Sequence, residues 1–267
     1  MNKYFLSEIN IYPIKSLGGI SLQSAEVEDR GLKHDRRWML VDESNRFITQ
    51  RSFAQMALLR VDRKNGLLLI THKQNKLSPL TIQPFQYDEE EVHVQIWRDN
   101  VVAFKYQNDV NEWFTKAIGI KCSLVYMPET TKRKTNPDFA KDKIVSFADG
   151  YPFLLIGEES LVELNNHLGV PLTMNRFRPN LVFKGGGSFD EDTWKKVRIG
   201  DAEFIVVKPC ARCIITTINQ ETAERGKEPL KTLAKFRNSN GEVLFGHNMV
   251  SYKTGVINIG DELYPKE

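Results

Sequence analysis

The chain has 267 residues, enough for one large domain or two modest ones at about 150 residues each, and either can bury a core. Lys plus Arg (37) against Asp plus Glu (34) leave a formal charge of +3, which argues against a broad electrostatic footprint for nucleic acid or an anionic membrane. With 41% hydrophobic and 27% charged residues the composition is that of an ordinary globular protein and argues against a disordered or fibrous chain, and three cysteines (Cys122, Cys210, Cys213) are too few for a secreted disulfide framework.

Met1 to Glu8 reaches an acidic residue before any apolar run long enough for a signal-peptide core. No stretch approaches the roughly 18 apolar residues of a spanning helix, so a soluble, cytoplasmic protein without a membrane partner is expected. Three hairpins follow from β-branched and aromatic runs broken by turn chemistry. Trp38 to Val41 leads to Phe47–Thr49 across Glu43-Ser44-Asn45, Leu58 to Val61 to Leu67–Ile70 across Lys64-Asn65-Gly66, and Val92 to Trp97 to Val101–Phe104 across Arg98-Asp99-Asn100. Strands at such close spacing favour a barrel or sandwich.

Val110, Trp113, Phe114, Ala117 and Ile118 then keep helical spacing, and Gly119 ends the run. Thr130 to Lys143, with Lys132-Arg133-Lys134 and Pro137, has no period and reads as a solvated loop, with a nuclear signal or phosphate clamp as the alternative. A short helix is predicted from Glu158 to Leu168, with Gly169 as its stop. Leu181–Phe183, Ala202–Val207, Cys213–Ile218, Glu242–Phe245 and Val256–Ile259 read as strands, and Pro229-Leu230 with Leu233 and Phe236 as one more helix. The pattern predicts a mainly β protein with a few short helices, built as two β-rich units that share an interface.

The segment Lys208-Pro209-Cys210-Ala211-Arg212-Cys213-Ile214-Ile215-Thr216-Thr217 is chemically the loudest. A thioredoxin-like redox pair needs a thiolate at a helix N-terminus, whereas Cys213 opens a run that should be a strand. A closed zinc site needs four ligands. The five histidines hold no H-x₃₋₅-H pair, so only His247 and Cys122 could complete one. The third reading is a single thiolate bound to a metal whose other ligands come from a cofactor, with Arg212 supplying positive charge beside Cys213. The plain alternative is two small buried hydrophobes on a strand. Three thiols fall short of the four that an iron–sulfur cluster normally takes, so any redox role requires an external electron donor.

These residues carry a resemblance. Cys210 to Thr217, Lys227-Glu228-Pro229-Leu230-Lys231-Thr232-Leu233, Phe245-Gly246 and Ile259-Gly260-Asp261 resemble the MOSC domain. Ile11-Tyr12-Pro13-Ile14-Lys15-Ser16, Gly31-Leu32 and Asp35-Arg36-Arg37-Trp38-Met39-Leu40-Val41 resemble the N-terminal β-barrel domain that accompanies MOSC in the mitochondrial amidoxime-reducing component and its bacterial relatives. Asn175-Arg176-Phe177-Arg178-Pro179-Asn180 completes the set, and the motifs run in the family's order over nearly the whole chain.

The resemblance implies an N-terminal β-barrel domain over 1–120 and a MOSC β-barrel domain over 121–267. It implies a molybdenum cofactor (Mo-molybdopterin) whose metal takes one sulfur from Cys213, a soft ligand suited to a redox centre. Phosphate and pterin contacts fall on Lys15, Ser16, Arg36, Arg178, Asn180, Ala211 and Arg212, residue types that suit an oxyanion. The family is also associated with pyridoxal phosphate binding. The implied activity is reduction of N-hydroxylated compounds such as hydroxylaminopurines and amidoximes, with electrons from a ferredoxin-, cytochrome- or flavin-type protein; the alternative is a non-catalytic sulfur carrier using a Cys213 persulfide. Two departures stand out. Relatives often place small hydroxyl residues before Pro152, where this chain has Gly150-Tyr151 after Asp149, and Asn248 stands where a tyrosine often follows Phe-Gly. Asp149, His247 and Asn248 are therefore the expected substrate-side residues, His247 as a proton donor.

Overall fold

Residues 3–84, 87 and 90–266 are described by the computed structural model, and the protein is mainly β, with 41% strand and 18% helix. Seven strands close into a barrel in the order Phe153–Gly157, Leu181–Lys184, Tyr4–Ile11, Glu262–Lys266, Lys196–Ile199, Ala202–Ala211 and Glu242–Lys253. The last returns to the first, pairing Met249 with Phe153. All neighbours are antiparallel except Phe153–Gly157 and Leu181–Lys184, which the helix Glu158–Asn166 connects as a crossover. In Lys196–Ile199 the alternation sets the inside, with Val197 and Ile199 buried and the alternate residues Lys196 and Arg198 exposed.

The barrel crosses the division expected at residue 120. Tyr4–Ile11 pairs with Leu181–Lys184 on one side and with Leu263 and Glu262 on the other, so the first strand closes a barrel otherwise built after residue 152. Ser24–Glu28 likewise pairs with Gly255–Asn258.

The other β unit holds a four-stranded sheet of Trp38–Val41, Ser123–Tyr126, Asp99–Lys105 and Glu91–Ile96, and a three-stranded sheet of Leu59–Lys64, Leu67–His72 and Leu80–Ile82. The helix Asn108–Ile118 packs Val110, Phe114, Ala117 and Ile118 into the same core as Trp38 and Leu68. It stops where its spacing predicts. Gly119 takes φ 83°, a left-handed conformation that costs glycine little, and returns its N–H to Thr115 O at 2.9 Å.

Several local expectations change. The third hairpin turns more tightly, on Trp97 and Arg98, with Asp99 and Asn100 already in the strand. The first hairpin is present but sparse, with one bridge from Phe47 to Val41 and backbone bonds from Asp42 N to Arg46 O and Ile48 N to Leu40 O, while Trp38–Val41 also pairs along its length with Ser123–Tyr126. Cys213–Ile218 is not a strand. The strand ends at Ala211, and Ile214–Thr217 forms a 3₁₀ turn in which the hydroxyls of Thr216 and Thr217 bond back to the carbonyls of Cys213 and Ile214. That local alternative is open to threonine and absent for valine or isoleucine, so β-branching alone misread the segment. The Thr130–Lys143 loop is not wholly solvated either, since Arg133 is 5% exposed and Pro137–Ala140 is a short helix capped by Asn136.

Phe204 is fully buried in the barrel and meets Phe153 edge to face with ring centroids 5.1 Å apart. Phe204→Ala should cost about 3–5 kcal/mol of stability in urea denaturation; a loss below about 1 kcal/mol would contradict this core.

Candidate functional site

Where Tyr4–Ile11 leaves the barrel, Tyr12 to Leu17 run along the seam between the two units. Lys15 is 4% exposed, and its Nζ donates to Phe147 O at 2.7 Å and Asp149 Oδ1 at 2.6 Å. Burial disfavours the ammonium and lowers its pKa to about 8, against the opposing pull of Asp149. Asp149 also accepts from Arg51 Nη2 at 2.8 Å. Burial would raise this carboxyl, but Lys15 and Arg51 outweigh it and hold Asp149 well below the usual carboxylate range.

Arg133 fixes the same loop from the other side. Its guanidinium donates to Ser146 O at 3.0 Å, Ala148 O at 2.6 Å and Asp149 O at 2.9 Å, while Nε reaches Asp99 at 2.7 Å. Together with Lys15 on Phe147 O, two cations take four successive carbonyls. The basic run noted in the sequence thus contributes one buried strap.

Tyr12 lies between two guanidiniums, with Arg36 Cζ and Arg178 Cζ each 4.2 Å from its ring centroid. Its hydroxyl donates to Pro179 O, and burial pushes the phenol up to about 12. Arg36 donates to Asp35 Oδ2 at 2.6 Å and Asn180 Oδ1 at 3.0 Å, and Asn180 in turn donates to Asn10 O. Arg178 has no carboxylate in ion-pair range among the described residues, and burial lowers its pKa to about 10. Ser16, Arg36 and Arg178 all adopt left-handed backbone, at φ 67°, 47° and 56°. Three such residues around one opening mark a strained, over-determined site.

Ala211, Arg212 and Cys213 form the opposite wall. The Arg212 side chain does not turn to Cys213: its Nη1 lies 3.0 Å from Cys210 Sγ and its Nη2 donates to Phe177 O at 2.6 Å. Arg51 is the cation beside Cys213. Burial would lower the Arg51 pKa, but Asp149 and then the Cys213 sulfur reverse this and raise it.

These residues enclose a cleft of about 290 Å³. Lys15, Ser16, Arg36, Asp149, Arg178, Asn180, Ala211, Arg212, Cys213 and Asn248 all line it. Cys210, Tyr151, Arg51 and Lys208 do too, so six cations face one lining carboxylate among the described residues. Such a cleft selects an anion. His247 does not line it. On its strand it faces the other way from Asn248, with Nε2 2.8 Å from Asp192, a carboxylate that Arg237 also grips at 2.7 and 2.9 Å. Cys122 sits 3% exposed in the other unit's core, and no group of three or more His, Cys, Asp or Glu gathers among the described residues, so the zinc reading has no ligand set.

Sequence motifs did not flag Arg51, and marked Arg133 only as part of a basic run. Arg51 acts on a loop 98 residues away, at Asp149, whereas Arg133 holds the same loop from 13 to 16 residues away and reaches back 34 residues to Asp99. The only local signal for Arg51 is its place after Thr49-Gln50, a polar pair in a buried stretch.

Residues 142–264 match the MOSC domain and residues 4–121 the MOSC N-terminal beta barrel domain. A protein named molybdenum cofactor sulfurase from Arabidopsis thaliana is 34% identical over 98% of this chain, which spans only 35% of that protein's length. Proteins named mitochondrial amidoxime reducing component 2 from Rattus norvegicus and Homo sapiens are 31% and 29% identical over 97% of this chain, which covers 82% of each.

Lys15 is cationic below its pKa of about 8 and loses its charge above it. Inorganic phosphate titrated into the cofactor-free protein should therefore bind progressively more weakly as pH rises through 8, and Lys15→Met should flatten that dependence. Calorimetry showing equal slopes for the two proteins would contradict the assignment.

Proposed function

The chain belongs to the MOSC family, with the N-terminal β-barrel domain ahead of its MOSC domain, and from this premise we propose that the seam cleft holds a molybdenum cofactor and reduces N-hydroxylated compounds. The observation that carries the reading is six cations and two thiols converging on one cleft with a single carboxylate among the described residues. A phosphorylated pterin dithiolene needs such a set: Lys15, Ser16, Arg36 and Arg178 for the phosphate, Ala211 and Arg212 along the pterin side, and Cys213 for the metal. An orphaned donor supports the fit, since Arg212 Nε is buried without a hydrogen-bond partner among the described residues. When bound, the cofactor would supply two-electron redox chemistry and an acceptor for oxygen.

The chain's own residues then set the chemistry around it. The overall reaction takes an N–OH group, two electrons and two protons to N–H and water. Asp149 stays ionised at neutral pH, so it serves as an acceptor that orients the substrate's N–H groups and cannot supply a proton. Asn248 keeps only a long 3.5 Å contact from Nδ2 to Pro209 O, leaving its carboxamide oxygen for substrate. His247, turned to Asp192, is withdrawn from the substrate side. With only three cysteines the chain holds no cluster of its own, so electrons come from a partner protein.

The sulfur-carrier alternative draws on the 34% identity to a cofactor sulfurase. It needs Cys213 but gives no role to Arg36, Arg178 or Asn180, which the cofactor reading uses.

Protein from a host with intact molybdopterin synthesis should contain near-stoichiometric molybdenum by elemental analysis. Cys213→Ser should lose it and Cys210→Ser keep it. Metal-free protein with cyanide-releasable sulfur on Cys213 would favour the carrier, and equal loss in both variants would refute Cys213 as the specific ligand.

A further inference from the structure

Three features converge on Arg51. Its guanidinium is fixed on one side by Asp149 at 2.8 Å and stacks on the other against Trp97, 4.7 Å from the ring centroid. Its own carbonyl is held by Arg225 Nη2 at 2.7 Å, and Arg225 reaches the carbonyls of Gln50 and Ser52 as well. The preceding residue, Gln50, is buried and exchanges reciprocal hydrogen bonds with Gln220 at 3.2 and 3.0 Å. Gln220 and Arg225 belong to the loop that follows Cys213 and its 3₁₀ turn, so the 49–52 segment and the 213–225 segment are clasped as one piece.

Within that piece Arg51 keeps Nη1 buried without a well-aligned hydrogen bond, and Cys213 lines the same cleft within hydrogen-bonding reach of the Arg51 side chain. Arg212, adjacent in sequence, is spent on Cys210 and Phe177. We propose that Arg51, supplied by the N-terminal half, is the positioning residue for the Cys213 sulfur: it aims the sulfur into the cleft and places a positive field over it. The inference rests on the cleft being the cofactor site, and it assigns to a residue from the other unit the role that sequence adjacency gives to Arg212.

The test uses the full chain purified from a host lacking molybdopterin synthesis. Alkylation rates at Cys213 are followed by peptide mass mapping with iodoacetate, an anion, and iodoacetamide, its neutral counterpart. The ratio of the two rates reads local charge and cancels changes in access, which a merely structural role would alter. Arg51→Gln should lower the ratio about tenfold, the order expected for one nearby charge at a partly exposed site. Arg51→Lys should restore most of it, and Arg212→Gln should leave it within about twofold at Cys213. An unchanged ratio in Arg51→Gln, or an equal fall in Arg212→Gln, would overturn the proposal. Because the experiment needs no cofactor, it stands or falls apart from the molybdenum reading: wild-type protein free of molybdenum after production in a molybdopterin-synthesising host would refute that reading and leave the alkylation result intact.

Discussion

The Asp149 carboxylate is the charge on which the cleft depends. Cations crowded about 5 Å apart repel by roughly 3 kcal/mol per pair at an effective dielectric near 20, and six of them line one opening. Asp149 binds Lys15 and Arg51 together, drawing residues 15, 51 and 149 onto one point. Neutral acceptors absorb much of the remainder: the Phe147 carbonyl for Lys15, the Tyr12 ring for Arg36 and Arg178, and a thiol with a carbonyl for Arg212. What stays without a carboxylate among the described residues, chiefly Arg178, is the part of the field available to a ligand.

The seam location follows from chain connectivity. Because Tyr4–Ile11 closes the barrel, the next six residues emerge at its mouth beside Asn180 and the loop carrying Asp149. The other β unit is inserted after that exit and returns Arg51 and Trp97 to the same opening. Neither unit alone holds both the sulfur and the cation that faces it. The reciprocal bonds of Gln50 with Gln220 and the ion pair of Lys73 with Glu221 at 2.8 Å keep the halves in register.

The sequence made visible those features that repeat or carry motifs. Hairpins with alternating apolar residues and the helix ended by Gly119 were readable because local chemistry alone decides them. The residues from Lys15 to Arg212 could be grouped by motif before any contact was known. Two kinds of feature could not be read. Cys213–Ile218 looked extended because threonine is β-branched, yet threonine also bonds its own backbone, and here that option won. Arg51 owes its importance to a partner 98 residues along the chain, which no window of sequence contains, and Arg133 to backbone carbonyls, which no residue type announces. The placing of His247 was partly accessible: adjacent residues on a strand face opposite ways, so a strand that presents Asn248 to the cleft turns His247 from it.

The central claim is that the Cys213 side of this seam cleft is a molybdenum site. Crystals of the chain purified from a molybdopterin-producing host, measured on both sides of the molybdenum absorption edge, test it directly. The account predicts one strong anomalous peak in the cleft within bonding distance of Cys213 Sγ. A molybdenum peak lodged elsewhere, or a cleft without one in protein shown to contain the metal, would contradict it.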